Sequence, residues 1–154
     1  FDVGVHCVSG ARAFLGDRIR IRDSYTGSVK NKDVDKNGFC VLENDQRRVA
    51  WLEWGFERSY RNRFRAWGDT FCIEADFFFS KSPLKETFIK VSHSNSENSF
   101  SVALEPQNQF SSMLDSFYFA TEDETERTYL LNEVLAQSSW VEKISRYNEA
   151  EVHD

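Results

Sequence analysis

Residues 18–42, RIRIRDSYTGSVKNKDVDKNGFCVL, hold two strand-like runs and the two clearest turn signals in the chain. Arg18-Ile19-Arg20-Ile21-Arg22 alternates polar and apolar side chains with period 2. That puts Ile19 and Ile21 on one face of a strand and the three arginines on the other. Phe39-Cys40-Val41-Leu42 is the second run, entered through Asp35-Lys36-Asn37-Gly38. Asn-Gly favours a turn because both residues tolerate positive φ at low cost. Ser24-Tyr25-Thr26-Gly27 reads as a further turn. The pattern predicts a β domain.

Working outward, residues 2–8 (DVGVHCV) read as a first strand that stops at Ser9-Gly10. Residues 49–56 and 71–79 are aromatic-rich strands. Residues 87–91 and 100–104 form a hairpin around a polar loop, and 116–120 (SFYFA) form a last strand. The C-terminus changes period. Thr121 and Glu124 have the spacing of a capping box, and Leu130, Leu131, Val134, Leu135, Val141 and Ile144 recur at helical intervals. The expected architecture is a single domain over residues 1–154 and mainly β. An antiparallel β-sandwich covers 1–120, and a long amphipathic C-terminal helix over 121–148 packs on it.

Composition fits that size of core: 40% of residues are hydrophobic and 15% aromatic, which argues against disorder. No apolar run is long enough to span a membrane. Charge is uneven. Residues 1–65 carry thirteen Lys and Arg against nine Asp and Glu, whereas 66–154 carry six against sixteen. The two halves neutralise each other across one fold, or the basic half presents a face to an anionic partner. The chain opens on Phe1, which fits a removed leader or a trimmed chain.

Three groups of residues are candidates for a site. Arg47, Arg48, Arg58, Arg61, Arg63 and Arg65 interleave with Tyr60, Phe64 and Trp67, a mixture favoured at protein interfaces. It also suits nucleic acid, but the net charge of −6 argues against a strong nucleic-acid binder. Asp33-x-Asp35-x-Asn37-Gly38 opens like a calcium loop, with oxygen ligands at alternate positions. The twelfth position is Asn44 rather than Glu, so the plainer reading is an Asp/Asn-rich turn, with no cofactor unless calcium binds there. Cys7, Cys40 and Cys72 lack zinc spacing and allow one disulfide with one free thiol, or three reduced thiols. There is no nucleophile elbow, no catalytic triad grouping and no phosphate-cradling glycine loop.

The N-terminal third resembles the transthyretin-like, or prealbumin-like, β-sandwich family. Gly4-Val5-His6-Cys7 is similar to its first, Cys-bearing strand, residues 20–27 to its second, and residues 33–39 to its hairpin. The resemblance implies a secreted binding module without catalysis, and no ligand residue carries over.

The expected function is therefore a secreted, extracellular, non-enzymatic protein that engages another macromolecule through the Arg/aromatic surface, as an effector or host-interaction protein. Another protein is the expected partner. Two alternatives stand beside it: a hydrolase acting through Asp69, Glu74 and Asp76, and a carrier of a small apolar ligand. For location, the alternative is the cytoplasm.

Overall fold

The structure is a computed structural model that describes residues 3–28, 35–93 and 99–151. They gather into two compact units, Phe1–Arg58 with Thr128–Asp154, and Ser59–Arg127.

The first unit begins with a helix, α1 (Val3–Leu15), where a strand was expected. The Val3-Val5-Cys7 alternation is real but short. Gly4, Val8 and Ala11 recur at spacings of three and four, and they are among the residues the helix buries, with Gly10 and Arg12. The segment that resembled a Cys-bearing strand thus lies in a helix. Gly16, at φ +77°, ends it, and its N–H donates to Arg12 O at 2.8 Å.

Three strands follow as an antiparallel meander: β1 (Ile19–Ser28), β2 (Asp35–Asn44) and β3 (Val49–Gly55). Both expected turns are strand. Tyr25 pairs with Phe39, Thr26 with Gly38 and Gly27 with Asn37, and the pairing continues to Ser28 and Asp35, where the described residues stop. Asn37-Gly38 is needed for another reason. A β-carbon on Gly38 would overlap the Trp54 ring and approach Tyr25 O at 2.6 Å. A bulge between Ile21 and Asp23 shifts the register of β1.

One face of this sheet is covered by helices rather than by a second sheet. Val8 and Ala11 of α1 meet Cys40, Leu42, Leu52 and Trp54 of the strands and Trp140 and Ile144 of α3 (Glu124–Glu151). Ile19 and Ile21 pack against that core as expected. Leu42 and Ile144 are fully buried, and truncating either to Ala would cost about 2–5 kcal/mol. Arg12 ties the two helices together. It donates to Asp17 at 2.8 Å, to Glu133 and to Gln137, and Gln137 donates to Val5 O at 2.7 Å.

The second unit is a four-stranded antiparallel meander, β4 (Arg63–Trp67), β5 (Phe71–Asp76), β6 (Thr87–His93) and β7 (Ser99–Leu104), followed by α2 (Gln109–Glu122). The β6–β7 hairpin is where the sequence placed it. SFYFA, expected as a last strand, is the second half of α2. Asn108 caps that helix by accepting from Phe110 and Ser111 N–H, and the cap outweighs a short aromatic run. Asp123 both ends α2, through its N–H to Phe119 O at 2.9 Å, and caps α3, accepting from Thr125 and Glu126 N–H. Thr121, the expected cap, instead bonds Tyr118 O. The long C-terminal helix exists, but its stripe is only partly used: Leu131, Val134 and Leu135 are exposed.

Candidate functional site

Alternation along the four strands of the second unit separates a charged face from an apolar one. Arg63 stands opposite Asp76, Arg65 opposite Glu74, and Glu74 opposite Lys90, while Phe64, Ile73, Ala75 and Ile89 point the other way. On the charged face lies a cavity of about 400 Å³, lined by Arg63, Glu74, Asp76, Phe77, Lys85, Glu86, Thr87, Phe88 and Lys90.

The charges in it are partly spent on each other. Arg63 Nε meets Asp76 Oδ1 at 2.8 Å, and that hydrogen bond holds the Asp76 carboxyl below its usual range. Arg65 Nε lies 3.4 Å from both Glu74 Oε1 and Cys72 Sγ. The wall turns sharply at Phe77, a non-glycine residue at φ +57°. Its N–H donates to Asn62 O at 2.7 Å, and Lys85 Nζ rests 3.4 Å from the centroid of its ring. Lys90 is exposed and makes no ion pair. Lys85 lies close enough to Asp76 to help lower its pKa, and the lining as a whole balances Arg63, Lys85 and Lys90 against Glu74, Asp76 and Glu86. Lys90, outside any ion pair, is the donor left to a ligand, and the site shows no carboxylate pair able to share a proton, because Glu74 and Asp76 each answer an arginine. Asp69 sits in the β4–β5 turn.

The Arg/aromatic candidates are divided. Arg47, Arg48 and Arg58 belong to the first unit, and Tyr60, Arg61, Arg63, Phe64, Arg65 and Trp67 to the second. Strand alternation brings Arg63, Arg65 and Trp67 together on the charged face, with the Arg65 guanidinium 5.1 Å from the centroid of the exposed Trp67 ring. Phe64 points away and stacks on Phe78. Tyr60 and Arg61 are exposed, and Tyr60 stacks on Phe77. Arg47 pairs with Glu43 at 3.2 Å. Lys85 and Lys90 were missed in the sequence, where neither belongs to a motif; only the pairing register puts Lys90 opposite Glu74.

Of the calcium candidates, Asp33 lies outside the described residues. Asp35 accepts from Trp54 Nε1 at 2.7 Å in a buried site, and Asn37 is mid-strand. No group of three metal-binding side chains occurs among the described residues. Cys7, Cys40 and Cys72 are all free thiols, so of the two arrangements the sequence allows the structure has the reduced one, without a disulfide. Among the described residues no helix is long and apolar enough to cross a membrane.

No protein-family model matches the chain. In sequence it is 26% identical over 106 residues to a dTDP-3,4-didehydro-2,6-dideoxy-alpha-D-glucose 3-reductase of Saccharopolyspora spinosa. The match covers 69% of this chain and 32% of that enzyme. In fold it resembles KijD10, a 3-ketoreductase from Actinomadura kijaniata. A variant of that enzyme in complex with TDP-benzene and NADP superposes at a TM-score of 0.86, with 21% identity, over 94% of this chain and 46% of that one. The open conformation of the same enzyme gives 0.76 over 88% and 42%. The chain thus spans about a third of the curated relative and under half of the solved ones.

These likenesses correct the sequence reading. The fold resembles part of KijD10, with a three-stranded and a four-stranded antiparallel sheet and three helices in place of a sandwich. The expectation of a non-enzymatic, secreted, extracellular binding protein or effector is overturned, since the matches in sequence and in fold are both reductases. The hydrolase and apolar-carrier alternatives fall with it. The expectation that no cofactor is involved falls too, because the matched structures hold NADP.

Proposed function

We propose that this chain is part of an NADP-linked reductase acting on the 3-keto group of a nucleotide-activated deoxysugar. The observation that carries the reading is a coincidence of two comparisons. A sequence match and a fold match, to proteins from different organisms, both point to sugar 3-ketone reduction. The three free thiols accord with the cytoplasmic alternative.

The residues present do not fit the dinucleotide itself. A pyrophosphate cradle is a glycine-rich turn that enters a helix from a parallel strand. The seven glycines form no G-x-G-x-x-G run, and both described sheets are antiparallel. No residue of this chain is assigned to NADP. The charged cavity suits the other ligand: Lys90, outside any ion pair, offers a donor to the diphosphate of an activated sugar.

The test is turnover by the full-length protein with NADPH and a dTDP-3-keto-deoxysugar. The expected result is NADPH oxidation matched by a product heavier by two hydrogen atoms. Failure to bind or oxidise NADPH across a panel of nucleotide-linked keto sugars would overturn the reading.

A further inference from the structure

The charged face of the second unit does not stop at the cavity. Strand pairing sets its side chains in rows. Arg63 and Asp76 share one row, and Arg65, Glu74 and Lys90 the next. Trp67 and Cys72 stand in the third. The cavity takes in the first row and reaches Glu74 and Lys90 in the second, so Trp67 lies just beyond its rim.

The Trp67 ring is large, flat and on display. It is 73% exposed, it sits on the edge strand β4, and the residue paired with it, Cys72, is small. An indole left this open to water adds little to the stability of its own sheet. It is nevertheless held in place. The Arg65 guanidinium lies 5.1 Å from the ring centroid. Arg65 is itself anchored, because its Nε is 3.4 Å from both Glu74 Oε1 and Cys72 Sγ. A ring ordered in advance loses little entropy when a second flat group is laid on it.

The spacing to the free cation suits a nucleotide. Successive side chains on one face of a strand are about 7 Å apart. Lys90 is one row from Trp67 and two strands across. In a nucleoside diphosphate, a single ribose separates the base from the first phosphate.

We propose that the base of the activated sugar stacks on Trp67, while its diphosphate meets Lys90 and its sugar lies in the cavity. This rests on the reading of the cavity as the nucleotide-sugar site, and adds to it the residue that anchors the nucleoside. Stacking uses the π-face that every base has, not the hydrogen-bonding edge that tells bases apart. Trp67 therefore supplies affinity for a nucleotide without choosing among bases.

The test is calorimetric titration of dTDP, and separately of inorganic pyrophosphate, into the full-length protein saturated with NADP, so that the dinucleotide's own site is filled. Trp67→Ala is expected to weaken dTDP binding about tenfold or more and to leave pyrophosphate unchanged. Trp67→Phe keeps a ring and should recover most of the loss. Both variants should keep the native melting temperature, because the side chain is exposed. A Trp67→Ala protein with native affinity for dTDP overturns the stacking contact; if Lys90→Ala still weakens dTDP, the reading of the cavity survives it. Equal loss of dTDP and pyrophosphate also overturns the contact, since pyrophosphate has no base to stack. A native protein that binds no dTDP overturns the contact and the reading of the cavity together.

Discussion

Trp54 lies so close on Gly38 that a β-carbon at position 38 would overlap the indole at Cζ2. The ring is fixed from its other side, because Nε1 donates to Asp35 Oδ2 at 2.7 Å in a buried site. It therefore cannot swing away without breaking that bond. Gly38→Ala should destabilise the protein by about 1–3 kcal/mol, a normal cost for overpacking. The urea midpoint would fall with an unchanged slope.

Glu43 governs part of the acid response. Burial pushes its carboxyl pKa up, but the hydrogen bonds from Arg20 and Arg47 outweigh this and hold it below the usual range. The unfolded chain then binds the proton more readily than the folded one. The contribution is fully present above the unfolded carboxyl value of about 4.3, and it is lost as pH falls through the folded value. Glu43→Gln should lower the melting temperature by several degrees at neutral pH. It should also flatten the acid limb, because the group that titrates there is gone. Melting curves from neutral pH into the acid range would check both.

How far the sequence could be read follows from the same strands. Ile19 and Ile21 were legible because strand alternation is local, and their burial followed from it. The turn signals were misleading because Gly38 is required by a ring sixteen residues away, which no local pattern reports. The first helix was missed because a short run satisfies period 2 and period 3.6 alike. The charged face was half visible. Arg63, Arg65 and Trp67 stood out as a cluster, but the register that sets Asp76 and Glu74 against them, and adds Lys90, is a long-range pairing.

The thiols should differ in reactivity. Burial pushes Cys40 up to about 12 and raises Cys7 as well. A thiolate is the reactive species, so Cys40 should resist alkylation in the native protein. Under denaturing, non-reducing conditions all three should react, since none is in a disulfide. Intact mass after each treatment gives the count. Fewer than three adducts on the denatured chain would contradict the free-thiol arrangement.

Lys90 and Lys85 differ in what else they do, which makes them a useful pair. Lys90 is exposed and outside any ion pair, so Lys90→Ala removes a positive charge from the cavity and little else. Lys85 also rests on the Phe77 ring, at a turn held at positive φ. Lys85→Ala therefore costs the turn a contact worth about 0.5–1 kcal/mol at an exposed site. If the cavity takes the diphosphate of an activated sugar, Lys90→Ala should raise KM about tenfold for the nucleotide sugar, about 1.4 kcal/mol of lost uniform binding. The KM for NADPH and kcat should stay near native, because the dinucleotide is not assigned here. Lys90→Arg keeps the charge and should recover most of the affinity. A Lys90→Ala protein with native KM for the sugar would remove the cavity from substrate binding. Equal loss for both substrates would instead mark a change in fold, which the melting temperature would register.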